Sequence, residues 1–510
     1  MVVKALLLIL FFVSMILVGI YARKHANSVE GFVLGGRSAG PWLTAFAYGT
    51  SYFSAVVFVG YAGQFGWKYG ISSTWIGIGN ALIGSLLAWV VLGRRTRVMT
   101  QHLNAKTMPE FFGKRFESKQ IKIVASIIVF VFLIPYTASV YNGLSRLFEM
   151  AFNVPYTVCV LAMACFTALY VILGGYMATA INDFIQGIIM LIGIIAVIVS
   201  VLNGQGGFTE AIKTLAEIPS ESVATLGQQG AYTSFFGPEP LNLLGVIILT
   251  SLGTWGLPQM VGKFYAIKDE KSINTGTVIS TIFAFIVAGG SYYLGGFGRL
   301  FDSDAIRDAS TGSVVYDAII PSMLSTLSDV LIGIVVVLVL SASMSTLSSL
   351  VLTSSSTLTL DLLKDNILKN LTEKKQVFIM RILIVVFIVI SVVIALNPTT
   401  FIAQLMGISW GALAGSFLAP LLYGLYWKKT TRIAIWASFI SGVGITVSNM
   451  YLGYFESSIN AGAFAMVIGL VLVPVVSILT SVSQPKEVDT VFSCLEEQVV
   501  VTKKNSLNTK

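Results

Sequence analysis

The chain has 510 residues, of which 55% are hydrophobic and only 11% are charged. A soluble domain carries about 25% charged residues, so this composition excludes an ordinary soluble protein. The formal net charge of +8 is compatible with nucleic-acid binding, but the basic residues lie between apolar stretches, and membrane topology explains them better.

About thirteen apolar stretches are long enough to cross a bilayer as a helix, which takes about 20 residues. The first runs directly into Arg23 and Lys24 without a small-residue cleavage site, which indicates a retained helix and not a signal peptide. The sequence therefore predicts an all-α membrane protein with about 13 transmembrane helices. The predicted spans are residues 3–22, 41–66, 70–93, 123–147, 154–174, 178–201, 240–262, 273–297, 328–358, 377–396, 400–427, 431–453 and 460–482.

Basic residues are distributed unevenly between the loops. When the loops after odd-numbered spans and the C-terminal tail are placed in the cytoplasm, those segments hold most of the lysines and arginines. This asymmetry predicts a protein of the inner (cell) membrane with its N-terminus outside and its C-terminus inside. The opposite side keeps only Lys4, Lys68, Arg146, Lys213, Arg299 and Arg307, and Arg381 begins a span.

Two spans contain residues that interrupt helices. The second has small and hydroxyl residues between Ala45 and Ser54, and the seventh has two glycines and a proline between Ser251 and Gln259. Glycine and proline are tolerated where membrane helices pack. However, a break is costly unless it lines a cavity, and paired interruptions in two halves indicate a transporter site between inverted repeats.

Five spans per repeat place each break in the first helix of its repeat, and the odd number makes the two repeats opposite in topology. The predicted division is a first helix and cytoplasmic loop (1–40), a first inverted repeat (41–201), an external loop (202–239), a second inverted repeat (240–427), two further helices (428–483) and a cytoplasmic tail (484–510).

Oxygen donors concentrate in the ninth span, where Ser345, Ser348 and Ser349 share one helical face. Sodium, like calcium and magnesium, is a hard cation that needs several oxygen ligands. Carbonyls freed near Thr50 and Phe53 could complete such a site. Membrane serines also bond back to their own helix, but a cluster opposite a broken helix favours an ion site.

Asp183 is the most informative single residue, because ionised groups at membrane depth usually face a functional interior. It could also be interfacial, one turn from the cytoplasm. Both histidines, His25 and His102, fall in predicted loops and provide no proton relay inside the membrane, which favours sodium over protons. The sequence has no phosphate-binding loop and no paired-carboxylate or metal-ligand constellation, so an enzyme is not expected.

In chain order, several short motifs resemble the sodium:solute symporter family, most closely its bacterial sodium/proline branch. The resemblance implies a LeuT-type 5+5 inverted-repeat core, thirteen spans, an external N-terminus and sodium-driven uptake. The motifs are Leu34-Gly35-Gly36-Arg37-Ser38, Gly70-Ile71-Ser72 with Trp75, Pro109-Glu110-Phe111-Phe112 with Arg115-Phe116, Asp183 with Gln186, and Met344-Ser345-Thr346-Leu347-Ser348.

The resemblance also implies site residues. The shared sodium site of the family falls on the backbone carbonyls of Thr50, Phe53 and Ala342 and the hydroxyls of Ser345 and Thr346. A second sodium site, present in some members, uses an aspartate of the sixth span and three hydroxyls of the ninth. The four residues at those places are Asp183, Ser345, Ser348 and Ser349.

Departures from the proline branch cluster where substrate binds. Tyr52 and Val56 replace an aspartate and a tryptophan, and Thr250 and Thr254 replace an aromatic pair, whereas Tyr136 matches. These differences put proline itself in question and leave the sodium machinery intact. The predicted substrate contacts, each of which could equally be packing, are Tyr52, Ser54, Tyr136, Trp255 and Gln404.

The sequence thus predicts a secondary transporter that couples inward sodium movement to uptake of a small organic solute, such as the amino acid proline, by alternating access. A small carboxylate or a sugar is the alternative substrate. A transporter-fold sensor and a passive channel are the alternative classes. Expected partners are sodium, the solute and the lipid bilayer, with no nucleic acid and no obligate protein partner.

Overall fold

The hydropathy pattern produces an almost entirely helical chain. In the computed structural model, residues 2–364, 367–368, 371–397, 401–481 and 484–496 are described. The helices are α1 (Val2–Ala22), α2 (Val29–Leu34), α3 (Pro41–Tyr52), α4 (56–69), α5 (74–102), α6 (Met108–Arg115), α7 (Lys119–Phe152), α8 (Tyr156–Gly204), α9 (Phe208–Glu217), α10 (Pro240–Gly256), α11 (Pro258–Tyr265), α12 (Glu270–Gly295), α13 (Tyr316–Ser325), α14 (Asp329–Leu363), α15 (Glu373–Leu396), α16 (Ile402–Tyr426), α17 (Arg432–Leu452), α18 (Ser458–Leu479) and α19 (Val488–Ser493).

Among the described residues, nine continuous helical segments are long and apolar enough to cross a bilayer, and the bent pair α10 and α11 makes a tenth. Two of the nine exceed one crossing, since 56–102 has 47 residues and α8 has 49. A straight helix of that length would measure about 70 Å, more than twice the roughly 30 Å hydrocarbon core. The predicted total of about thirteen spans stays a prediction.

Two glycines allow these long segments to turn back. Gly70 has φ +59° and Gly175 has φ +54°, a backbone region that residues with a Cβ atom rarely adopt. Gly70 begins the predicted third span and separates α4 from α5. Gly175 lies between the predicted fifth and sixth spans and divides α8 into residues 156–174 and 176–204. A Cβ atom at Gly175 would also lie 2.7 Å from the carbonyl oxygen of Phe32.

The most enclosed spans lie at the centre of the bundle. α14 and α16 are the most buried, whereas α15, α17 and α18 expose more of their surface. α14 packs on α7 and α8, and α16 packs on α7, α10, α17 and α18. The broken segment of α3 and α4 lies between these helices and α12, so that its polar interior is shielded from lipid.

The contact between α4 and α12 leaves no room for side chains. A Cβ atom at Gly295 would lie 2.1 Å from the carbonyl oxygen of Ala62. We expect Gly295→Ala to destabilise the protein by about 1–3 kcal/mol, because backbone atoms must move apart to admit the methyl group. Thermal unfolding in detergent would measure this. Gly289→Ala is the matched control, because a Cβ atom there contacts nothing within 4 Å and alanine favours a helix by about 1 kcal/mol; equal losses in both variants would contradict the prediction.

Candidate functional site: a cation and solute site at two helix breaks

The predicted break in the second span is present between α3 and α4. α3 ends at Tyr52, and Phe53 adopts an extended conformation (φ −83°, ψ 122°). The backbone N–H of Ala55 donates to the hydroxyl of Ser343 on α14 (3.1 Å) instead of to a helical carbonyl. The break therefore frees carbonyl oxygens of residues 50–53 from the helical pattern and directs some of them toward α14.

The predicted break in the seventh span is also present. α10 ends at Gly256, Leu257 has φ −83° and ψ 121°, and α11 starts at Pro258 with a 44° change of direction. Proline cannot continue the preceding helix, which accounts for the position of the break. Leu257 and Phe53 have almost the same backbone conformation, so the two breaks match in geometry as well as in their predicted position in the chain.

The hydroxyl of Thr346 lies at the centre of a group of carbonyl oxygens. Its Oγ1 atom is 3.3 Å from the carbonyl oxygen of Thr50, 3.4 Å from that of Ser51, 3.2 Å from that of Phe53 and 3.2 Å from that of Ala342. All five residues are buried. The ninth span thus brings one hydroxyl to the freed carbonyls of the first break.

These spacings match those of neighbouring ligands around a cation. A hydroxyl has one proton and donates it to one acceptor at a time, and O–H···O hydrogen bonds are most often about 2.7–2.8 Å long. Oxygens that bind one hard cation at about 2.4 Å lie about 3.4 Å apart when they are at right angles around the ion. The group around Thr346 is therefore suited to bind a small cation.

Ser345 lies beside this group in a different contact. Its hydroxyl donates to the hydroxyl of Thr50 (2.7 Å), which in turn donates to the carbonyl of Phe46 (2.7 Å). The structure thus brings together all five residues that the sequence proposed for the first sodium site. It adds the carbonyl of Ser51, which the pattern of residue types could not reveal because any residue supplies a carbonyl.

The second predicted cation site has a lysine in its centre. The Nζ atom of Lys263 lies 3.6 Å from a carboxylate oxygen of Asp183 and 2.9 Å from the hydroxyl of Ser349. Ser349 also contacts the hydroxyl of Ser51 (2.9 Å), whereas Ser348 donates back to the carbonyl of Ser345 (2.8 Å). Asp183 is fully buried within the protein.

The sequence placed Lys263 in a cytoplasmic loop, one residue after the predicted seventh span. In the structure it lies on α11 and only 3% of its surface is exposed. A lysine directly after an apolar span is usual at a cytoplasmic boundary, so its position in the sequence did not indicate that it is buried. The proline at 258 was the available clue, because it begins a short helix that turns Lys263 inward.

Three aromatic side chains form a cluster next to the first break. The ring centroid of Trp410 on α16 lies 5.7 Å from that of Tyr52 and 5.9 Å from that of Tyr136. The Tyr136 hydroxyl is close to Ser54 and Trp410, but it forms no hydrogen bond of good geometry within the described residues. Tyr52, Ser54 and Tyr136 are thus brought together, and Trp410 was missed.

A small cavity adjoins Tyr52. Asn80 on α5 donates to the Tyr52 hydroxyl, which also contacts that of Tyr292 (3.3 Å). Thr254, near the second break, lines the same cavity. The cavity thus connects residues of both broken helices, as a solute site between repeats requires.

The other two predicted substrate contacts, Trp255 and Gln404, have different hydrogen-bond partners. The indole N–H of Trp255 donates to the carbonyl of Ile83 (2.9 Å). Gln404 lies six residues before Trp410 near the start of α16, about 9 Å away along the helix axis. The backbone carbonyl of Gln404 accepts a hydrogen bond from the hydroxyl of Ser458.

The half-helices α3 and α11 are joined at one end of the bundle by backbone hydrogen bonds. We call this end, which carries Arg94, Arg115 and Arg432, the basic end. Before α3, the N–H of Ala39 donates to the carbonyl of Ala266 (3.1 Å), and after α11 the N–H of Lys268 donates to the carbonyl of Ala39 (3.0 Å). α3 and α11 are therefore coupled at the basic end.

Arg37 reinforces this junction. Its guanidinium donates to the carbonyls of Tyr265 (3.1 Å) and Ala105 (2.6 Å) and to Thr100, and it pairs with Glu30 at 3.4 Å. A planar guanidinium with five donors is suited to hold several carbonyls at once. A cleft begins here between Lys106 and α11 and reaches Lys263 and Ser349.

Two broken helices around a candidate cation site and a small cavity are typical of a secondary transporter of the LeuT type. A family model, "Sodium:solute symporter family", matches residues 32–442. The chain belongs to this family, and sodium is its coupling ion. It is a multi-pass membrane protein that moves a solute together with sodium.

Curated relatives are transporters. The chain is 29% identical over 478 residues to an osmoregulated proline transporter of Bacillus subtilis, with 92% of this chain and 93% of the relative covered. It is 30% identical over 439 residues to a sodium/proline symporter of Escherichia coli, with 84% of each covered. It is also 30% identical to a sodium/proline symporter of Staphylococcus aureus, over 87% of this chain and 85% of that one.

Solved structures show the same fold. A sodium-coupled sialic acid symporter in a substrate-bound outward-open state superposes with a TM-score of 0.73 at 15% identity and covers 94% of this chain and 98% of its own. Mhp1, a nucleobase-cation symporter, superposes with a TM-score of 0.50 at 13% identity and covers 92% and 99%. At these identities the likeness concerns the fold alone, and it confirms the predicted LeuT-type architecture.

Proposed function

We propose that this symporter takes up proline or a closely related small amino acid, with sodium bound at the Thr346 group. The main support for the ion site is the set of four carbonyl oxygens 3.2–3.4 Å from the Thr346 hydroxyl. The choice of amino acid follows the relatives, two of which are sodium/proline symporters by name. We assign the solute to the cavity and aromatic cluster around Tyr52, Tyr136 and Trp410.

The mechanism follows from which helices hold each ligand. Sodium at this site would bind α3 to α14, because its ligands come from residues 50–53 on one side and Ala342 and Thr346 on the other. The solute would contact α3, α7 and α16. Sodium and solute therefore each stabilise the conformation in which the first break faces α14 as well as α7 and α16. The affinity for sodium and the affinity for solute are for this reason reciprocally coupled.

We further propose that the basic end is cytoplasmic, following the distribution of lysine and arginine, and that the protein lies in the cell (inner) membrane. The cleft between Lys106 and Lys263 would then be the solute exit, and the conformation would face inward. The predicted repeats 41–201 and 240–427 would be the two halves that alternate access, each starting with a broken helix.

The test is uptake of labelled proline, other amino acids, a sugar and a small carboxylate into proteoliposomes with and without an inward sodium gradient. We expect proline or a similar amino acid to accumulate only with sodium. Accumulation driven by a proton gradient alone, or sodium entry without any solute, would contradict the proposal. Sodium-dependent uptake of only the sugar or the carboxylate would support sodium-coupled symport but would contradict the proposed amino-acid substrate.

A further inference from the structure

The Asp183 and Ser349 site already contains a positive charge. Lys263 Nζ lies 2.9 Å from the Ser349 hydroxyl, 3.6 Å from Asp183 and 5.4 Å from the centre of the Tyr176 ring. An ammonium group is stabilised by hydrogen-bond acceptors, by negative charges and by the faces of aromatic rings. Ser349, Asp183 and Tyr176 supply one of each. Lys263 and Asp183 are both buried, so water supplies little of this stabilisation.

Charge balance opposes an additional ion at this position. Asp183 and Lys263 form a neutral pair, whereas Asp183 alone would leave a buried, uncompensated carboxylate. A sodium ion among Asp183, Ser345 and Ser349 would lie within a few ångströms of the ammonium. Repulsion over such a distance weakens binding by about 100-fold or more in a protein interior.

The positive charge of Lys263 is covalently attached to a helix, whereas a bound sodium ion is not. It lies on α11, the half-helix after the second break, whereas Asp183 is on α8 and Ser349 on α14. A sodium ion bound here would enter and leave the protein in every transport cycle. An ammonium on α11 remains attached to the half-helix that is joined to α3 at the basic end.

We propose that the ammonium of Lys263 is a tethered cation that takes the place of a second sodium ion, so that each solute is carried with one sodium. This inference rests on the proposed sodium site at Thr346. It also explains how Asp183, Ser345, Ser348 and Ser349 are all present although a second sodium does not bind.

The experiment counts sodium ions in two ways: binding of radioactive sodium to the purified protein, and charge moved per solute in proteoliposomes. We expect about one sodium ion and one charge in the wild type, and about two in Lys263→Met, in which the carboxylate of Asp183 becomes available. Asp183→Asn added to Lys263→Met should return the number to about one. Lys268→Met is the matched control, because Lys268 is exposed and lies five residues further on.

Several outcomes would overturn the inference. Two sodium ions in the wild type would do so without any variant, and so would one ion in a folded Lys263→Met protein that still transports. If Lys263→Met does not fold, Lys263→Gln replaces it with the same expectation. Failure of the proposed function is distinguishable, because in that case the wild type would show no sodium-dependent solute uptake and Thr346→Ala would not change sodium binding.

Discussion

In proteoliposomes, we expect Thr346→Ala to weaken the apparent sodium affinity of solute uptake by about 10- to 100-fold, the effect of losing one ligand to a charged group. The variant removes the side-chain oxygen that lies 3.2–3.4 Å from all four carbonyls in the proposed site. The carbonyls of Thr50 and Phe53 would remain but would lack their partner on α14. Uptake at low sodium should be lost, and high sodium should partly restore it.

Two further variants separate ligand loss from damage to the helix. Thr346→Ser keeps the hydroxyl and should retain most of the sodium affinity. Thr353→Ala removes a threonine two turns further along α14, where the side chain lines the cleft and not the ion site, and should leave sodium affinity unchanged. A Thr346→Ala protein with wild-type sodium dependence would show that the oxygen group does not bind sodium.

The sequence predicts the membrane helices and both breaks because these depend on local composition. Long apolar stretches specify spans wherever they lie in the fold, and Pro258 and the small residues near Ser54 weaken their helices without help from other segments. The hydroxyls of Ser345 and Thr346 could also be located, since they lie on a helix whose periodicity fixes their face.

Residues that act through tertiary contacts could not be found in this way. In the sequence, Trp410 is one of many aromatic residues in membrane spans. Only the folded structure shows that α16 places it against Tyr52 and Tyr136. Asn80 is in the same way a single polar residue of the third span in the sequence, and only the structure shows its contact with the Tyr52 hydroxyl. Lys263 was assigned to a loop because its distance from Asp183, 80 residues earlier in the chain, is not encoded in local hydropathy.

The placement of two sites on one short segment explains how sodium and solute can be coupled. The carbonyls of Thr50, Ser51 and Phe53 face Thr346, while the ring of Tyr52, which lies among them in the chain, contacts Trp410. A shift of this backbone segment moves the carbonyls and also carries the Tyr52 ring with it, because both belong to the same short stretch of chain. Coupling over such a short distance needs no relay through the rest of the bundle, and by linkage it acts equally in both directions.

Tyr136→Phe should weaken solute binding while it preserves or increases stability. The Tyr136 hydroxyl is buried beside Tyr52 and Trp410 and forms no hydrogen bond of good geometry within the described chain. A buried polar group without a partner costs about 1–3 kcal/mol, so its removal should not lower the free energy of unfolding. If the hydroxyl binds the solute, its loss should raise the KM for uptake by about 10-fold.

Tyr141→Phe provides the matched control for this prediction. Tyr141 lies five residues further along α7, is also fully buried and also has a hydroxyl without a hydrogen bond among the described residues. Both variants should therefore change the thermal unfolding temperature alike, and only Tyr136→Phe should raise KM. An unchanged KM in Tyr136→Phe, or an equal rise in both variants, would show that Tyr136 packs against Trp410 without contacting the solute, and the solute site would then have to lie on the Asn80 and Thr254 side of Tyr52.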